Sequence, residues 1–282
     1  MGQKTSRVSS HPKAGRKNHK EESKVVDEEW VVPVEIDVKE KREDGVVRIV
    51  LISDTHNKHK MLELPEGDIL IHAGDFTNDG TEEEIREFDT WLASLDYQHK
   101  IVVPGNHDKG MEAKAKQESE SVQVTEMTNA IVLRGEVVEV MGLRVFGLPA
   151  TLNLPAGREM SAFGANNEEE MKERARGLTS ARVDILVSHS PPLGVGDISR
   201  TGKHCGSQGL REVVFNLDEP PKLWAFGHVH ESGGQTYRAK GIETVMVNAA
   251  SFLRTEWFLR RPVVIDICTK TKTLLGITTE VS

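Results

Sequence analysis

Five polar clusters, each placed directly after a short apolar run, constrain this chain more than any other feature of its 282 residues. They are Asp54-Thr55-His56 after residues 48–52, Gly74-Asp75 after 69–71, and Gly105-Asn106-His107-Asp108 after 101–103. His189 follows residues 185–187, and Gly227-His228-Val229-His230 follows 223–226. Apolar runs this short, bounded by turn residues, read as buried strands. In α/β sheets the loops beyond the carboxyl ends of the strands converge on one crevice. Five separate segments therefore have the means to deliver side chains to one place.

Helical patterns lie between the runs. Thr81 and Glu84 fit a capping box, and Ile85, Phe88, Trp91, Leu92 and Leu95 share one face, which predicts a helix over about residues 82–95. A second helix is expected near 168–176, and the charged segment 111–120 is a weaker helical candidate. Residues 131–133, 137–140 and 143–146 read as a meander turning at Gly135 and Gly142, and further strands are expected at 244–247 and 263–267. So many strands alternating with helices predict an α/β fold, better served by two packed sheets flanked by helices than by one sheet.

The clusters agree in chemistry. Asp54, His56, Asp75, Asn106, His189, His228 and His230 offer oxygen and imidazole nitrogen and no thiolate, a set suited to Mn, Fe, Zn or Co. Asp54/His56 and His228/His230 are spaced i, i+2, which in extended backbone puts both side chains on one side. Seven donors exceed the needs of one tetrahedral ion and suit two divalent ions that share a bridge. Such a pair can hold a hydroxide for in-line attack at phosphorus. Each cluster alone has a bland reading: a turn dipeptide, a satisfied core histidine. Five in this order do not.

The series Asp-x-His, Gly-Asp, Gly-Asn-His-Asp, His, Gly-His-x-His resembles the calcineurin-like metallophosphoesterase superfamily, over about residues 46–267. The resemblance implies a four-layer sandwich of two mixed β-sheets flanked by α-helices. It implies one ion on Asp54, His56, Asp75 and His230, and a second, bridged by Asp75, on Asn106, His189 and His228. Asn106 and His107 would contact the substrate. His107 would bind no metal, but would steady the phosphate and protonate the leaving oxygen, with Asp108 or Asn78 as orienting partner. Protein Ser/Thr phosphatases of the superfamily carry a phosphate-gripping arginine after Gly-Asp. Here Gly74-Asp75-Phe76-Thr77-Asn78 has none. The chain is more similar to the small metallophosphoesterase-domain branch, itself similar to class III cyclic nucleotide phosphodiesterases. Some animal members of that branch have glycine where this chain has His228, and are poor enzymes. The expected function is hydrolysis of a phosphodiester, cyclic nucleotides included, or of a phosphomonoester. The competing reading is a degenerate member that binds nucleotide or protein. Residues 57–63, 148–167 and 194–209 are the candidate substrate-selecting loops.

Charge divides the chain. Residues 1–20 hold six basic residues and no acid, so a net charge of −8 leaves −14 on the remainder. That body offers no basic track, and nucleic acid is not an expected partner. Residues 1–45 read as a disordered basic tail and linker, apart from a marginal strand within 30–38, and 46–282 as the catalytic domain. Met1-Gly2-Gln3-Lys4-Thr5-Ser6 fits the N-myristoylation pattern, with Gly2 the acylated residue and the basic tail a second attraction to an anionic membrane face. A plain disordered tail is the alternative. Without an apolar leader, and with only Cys205 and Cys268, a cytoplasmic protein with reduced thiols is expected, a single disulfide being the other option.

Overall fold

The computed structural model describes residues 31–33, 44–112, 126–153, 161–253 and 258–278. Gly2, the basic tail and most of the charged segment after Met111 lie outside the described residues. The strands are β1 (Val31–Pro33), β2 (Val46–Ile52), β3 (Ile69–His72), β4 (His99–Val102), β5 (Ile131–Val132), β6 (Val137–Val140), β7 (Leu143–Leu148), β8 (Thr151–Leu152) and β9 (Gly164–Ala165). They continue with β10 (Ile185–Ser188), β11 (Leu223–Phe226), β12 (Thr236–Ala239), β13 (Val245–Asn248), β14 (Phe252–Leu253), β15 (Phe258–Leu259), β16 (Val263–Cys268) and β17 (Leu274–Thr278). The helices are α1 (Glu82–Ala93), α2 (Glu168–Arg174), α3 (Gly177–Ser180) and α4 (Gln208–Phe215).

Two mixed sheets carry the fold. One has the order β17-β16-β2-β3-β4-β5, the other β1-β12-β13-β11-β10-β7-β6. In each, four neighbouring strands run parallel, β2 to β5 in the first, with β5 at its edge, and β7, β10, β11 and β13 in the second; antiparallel strands complete both sheets.

Strand alternation sorts the apolar residues into layers. Ile49, Leu51, Ile69, Ile71 and Ile101 point inward and meet Val145, Ile185, Val187, Leu223 and Val247 of the other sheet. Their neighbours Val50, Ile52, Leu70 and Val102 point outward, under Ile85, Phe88 and Leu92 of α1. On the opposite side Leu186, Trp224, Phe226 and Met246 pack with Met171, Leu178, Leu210 and Val214 of α2, α3 and α4. Both faces of the central strands are thus covered, which is why the runs are continuously apolar. The result is the expected four-layer sandwich.

Helix α1 has the expected capping box between Thr81 and Glu84. It ends at Ala93 rather than 95, and Leu95 still packs partly buried beyond it. The meander is corrected. Residues 131–132 extend the first sheet by pairing with β4, whereas β6 and β7 form a hairpin in the second. The chain changes sheets around Gly135, at φ 112°, and the hairpin turns through Met141 and Gly142, both at positive φ. β1 pairs with β12, so the second sheet reaches back across the boundary drawn at residue 45. Cys205 and Cys268 are free thiols. Among the described residues no helix is long and apolar enough to cross a membrane.

Candidate metal centre

The sheets bring the five clusters to one edge. Each lies just past the carboxyl end of a parallel strand: Asp54 after β2, Asp75 after β3, Asn106 after β4, His189 after β10 and His228 after β11. Backbone hydrogen bonds join the first two turns, with Asp54 N donating to Gly74 O at 2.8 Å and His56 N to Asp75 O at 3.1 Å. Four donors occupy the left-handed region: Asp54 at φ 52°, His56 at 43°, Asp75 at 55° and His228 at 69°. Such conformations cost about 1–3 kcal/mol each and persist where the surroundings enforce them, typically at functional sites.

Two donor groups result. In one, ligand atoms of Asp54, His56 and His230 lie within 4.8 Å of one another, and in the other so do those of Asp75, His189 and His228. His230 Nε2 is 3.2 Å from Asp54 Oδ1 and 3.3 Å from His56 Nε2. His189 Nε2 is 3.3 Å from Asp75 Oδ2 and 3.1 Å from Asn106 Oδ1. His56 Nδ1 faces Thr77 O at 3.2 Å and His189 Nδ1 faces Ala73 O at 2.8 Å. A carbonyl only accepts, so both rings carry a proton on Nδ1 and can turn a bare Nε2 inward, the arrangement of metal-binding histidines. Oxygens and bare nitrogens converging in this way need a cation, either a proton or a metal ion, and the residues fit two ions. Glycine makes room: a Cβ at Gly227 would collide with the Asp54 carboxylate, and one at Gly105 with that of Asp75.

Burial and charge oppose each other here. Burial favours the neutral form of Asp54, but the hydrogen bond and charge of His230, then His189 and His56, hold its pKa well below the usual carboxylate range. Asp75 is likewise lowered, against burial, by His189. Burial would lower His189, yet the Asp75 charge and hydrogen bond raise it to about 10. His230 is raised against burial by Asp54. Burial dominates at His56, which is lowered, and at His228, lowered to about 4.

His107 sits beside the centre. Its ring is edge-on to His56 with centroids 5.0 Å apart, and its backbone N donates to Asp75 Oδ1 at 2.8 Å. Its Nδ1 meets the carbonyl of Asn78 at 2.6 Å, so of the two expected partners Asn78 faces the ring, through its backbone. Asp108, expected beside His107, has its carboxylate engaged by the backbone of the neighbouring turns. Its buried carboxylate accepts from the backbone N of Gly105 at 2.7 Å, Asp75 at 2.9 Å and Thr77 at 3.0 Å, and from Thr77 Oγ1 at 2.7 Å. It ties two ligand-bearing turns together and does not reach His107's ring. Burial and the Asp75 charge push it up to about 7.

Several supporting residues escaped the sequence reading. Ser53 Oγ donates to Asp54 Oδ2 at 2.6 Å. Asn248 Nδ2 donates to Val229 O at 2.9 Å, holding the residue between the two histidines of Gly-His-x-His. Asn248 also follows an apolar run, the signal that marked the other five clusters. At the rim, Phe252 lies 6.0 Å from both His56 and His230, and Lys58 Nζ stands 4.9 Å above its ring.

Two adjacent groups of carboxylate and imidazole donors at the ends of parallel strands fit a dinuclear metal centre. The chain belongs to the calcineurin-like phosphoesterase family, whose model matches residues 47–232. It is therefore a metal-dependent phosphoester hydrolase by family and by donor set. It is 34% identical to the human metallophosphoesterase domain-containing protein 1, over 80% of this chain and 72% of that protein. A UPF0046 protein of Caenorhabditis elegans is 34% identical over 73% of this chain and 76% of its own length. A probable glycerophosphodiester phosphodiesterase of Arcobacter nitrofigilis is 26% identical over 64% of this chain and 71% of its own. A solved crystal structure at 15% identity superposes with a TM-score of 0.51, over 82% of this chain and 98% of its own, and shares the fold.

Proposed function

We propose that the protein hydrolyses a small phosphodiester, cyclic nucleotides included, using two divalent ions of the Mn, Fe, Zn or Co class. The observation that carries the reading is the pair of donor groups side by side, with Asp75 Oδ1 and Oδ2 turned to His107 N and His189 Nε2. Asp54, His56, Asp75 and His230 would hold one ion, and Asp75, Asn106, His189 and His228 the other. When bound, such ions activate water at neutral pH and neutralise charge building on phosphoryl oxygens. His107, its Nδ1 proton fixed on the Asn78 carbonyl, presents Nε2 to the substrate, with Asn106 beside it. As imidazolium it donates its Nε2 proton to the departing ester oxygen, and the Nδ1 proton stays on the Asn78 carbonyl. Preference for a diester is supported by the absence of arginine after Asp75 and by the diesterase named among the relatives. The test is turnover of aryl phosphomonoesters and phosphodiesters with Mn, then a panel of cyclic nucleotides. Chelator-sensitive diester hydrolysis is expected. Two bound ions with no turnover of any ester would replace this reading with a nucleotide- or protein-binding role.

A further inference from the structure

His72, the last residue of β3, is fully buried and belongs to neither donor group. Its ring is wedged among the aromatic side chains under α1, with centroids 5.9 Å from Phe76 and 5.2 Å from Phe88. Both ring nitrogens are used. Gly74 N donates to Nδ1 at 3.2 Å. Nδ1 is therefore bare, so Nε2 carries the hydrogen and donates to Thr55 Oγ1 at 3.0 Å. The two partners have a meaning beyond satisfying a buried imidazole. Thr55 stands between Asp54 and His56, and Gly74 immediately precedes Asp75. One rigid ring thus connects the two turns that carry the site's paired carboxylates, beneath the backbone bonds that join them above.

We propose that His72 is a positioning residue that sets the separation of the Asp54 and Asp75 turns, and through it the ability of this chain to hold two ions together. The inference rests on the two-ion reading above. Both turns contain residues at positive φ, at Asp54, His56, Gly74 and Asp75, so they gain from an external brace. Neither an apolar side chain nor a charged ring could serve. An apolar residue leaves Gly74 N–H and Thr55 Oγ1 without this partner in a dry layer, and an imidazolium loses the Nδ1 acceptor. Burial supports the neutral form by lowering the ring to about 3.

The test compares His72→Leu, His72→Asn and His72→Gln. Asparagine places an acceptor near the position of Nδ1 and keeps the Gly74 contact. Glutamine reaches the position of Nε2 and keeps the Thr55 contact. Leucine fills the space and keeps neither. For each protein, Mn stoichiometry and affinity are measured by titration, the Mn–Mn exchange coupling by electron paramagnetic resonance, and metal-free stability by denaturant unfolding. Supporting residues of a metal site typically contribute about 10–100-fold in affinity. The expected result is a loss of that order in Leu, weaker exchange coupling, and partial recovery in Asn and Gln, with no rank correlation to metal-free stability. Affinity and coupling unchanged in Leu would overturn the proposal, as would losses that simply follow metal-free stability. A wild-type protein that binds no ion pair would instead remove the two-ion reading, and this inference with it.

Discussion

The two donor groups match in composition, one carboxylate and two imidazoles each, and differ in the depth of the imidazole paired with the carboxylate. In the Asp75 group, the His189 side chain is 0% exposed and Asp75 3%, with His228 half-buried. In the Asp54 group, Asp54 is 0% exposed but its partner His230 keeps 18%, beside Phe252, whose ring Lys58 covers. The cause is topological. Asp75 and His189 follow the central strands β3 and β10, whose inward faces meet in the core. His230 lies two residues further along its loop than His228, on a short 3-10 turn. Each group is anchored by a carboxylate–imidazole pair, His189 with Asp75 and His230 with Asp54, and the Asp54 group borders the rim formed by Phe252 and Lys58.

Removing the bridge should break this comparison most severely. Asp75→Asn is expected to empty both groups and abolish turnover, whereas Asp54→Asn should empty mainly its own. Loss of one partner from a buried ion pair costs about 3–5 kcal/mol, so metal-free stability should fall as well. Elemental analysis showing one ion retained in Asp75→Asn would deny it the bridging position.

His107→Ala should leave both groups filled and lower kcat by about 10²–10⁴-fold, the usual range for general-acid loss. Metal content and steady-state kinetics on the same preparation check this. An emptied centre would make His107 part of the metal-holding set.

The difference in depth also predicts a pH dependence. His189 is raised from 6.5 to about 10, so the metal-free stability supplied by its pairing with Asp75 is complete below 6.5 and lost as pH rises through about 10. Asp54 and Asp75 are lowered, so their contributions are present above the ordinary 3.8 and lost as pH falls through their depressed values. An ion must displace the His189 proton. Affinity at the deep group should therefore rise up to about tenfold per pH unit between neutrality and pH 9, with one proton released per ion. Calorimetry in buffers of different ionisation enthalpy reads that proton directly. A flat profile would mean the ring is already neutral.

The smallest effect belongs to the rim. Lys58→Met should raise KM for anionic esters by about tenfold, the value of a charge-assisted contact of about 1.4 kcal/mol. Lys58→Arg should restore it, and kcat should change little. Equal KM values in all three proteins would leave Lys58 as a surface residue that shields Phe252.

Much of this was legible in the sequence because it is local. A strand buried on both faces must be continuously apolar, so the strands bearing Asp54, Asp75, Asn106, His189 and His228 announced themselves. The residue after each run fell at the carboxyl edge, and Thr81 and Glu84 marked the start of α1. The hairpin was visible from Val137 to Phe146, but Ile131 and Val132 were assigned to the wrong sheet. A two-residue edge strand carries no mark of its neighbour, and Gly135 serves equally well to turn within a sheet or to leave it.

The tertiary structure alone decided which polar residue supports which. Asp108 adjoins His107 in sequence, yet its carboxylate is drawn to the backbone of Gly105, Asp75 and Thr77, because a buried acceptor goes where unpaired N–H groups lie. His72 reads in the chain as one more residue before Gly-Asp, and its partners Thr55 and Gly74 meet it only when β2 and β3 pair. Donor chemistry is a property of residue type, and the sequence determines it. Shared contacts, orientation and the distance between two carboxylates are properties of packing, and packing exists only after the two sheets have closed on each other.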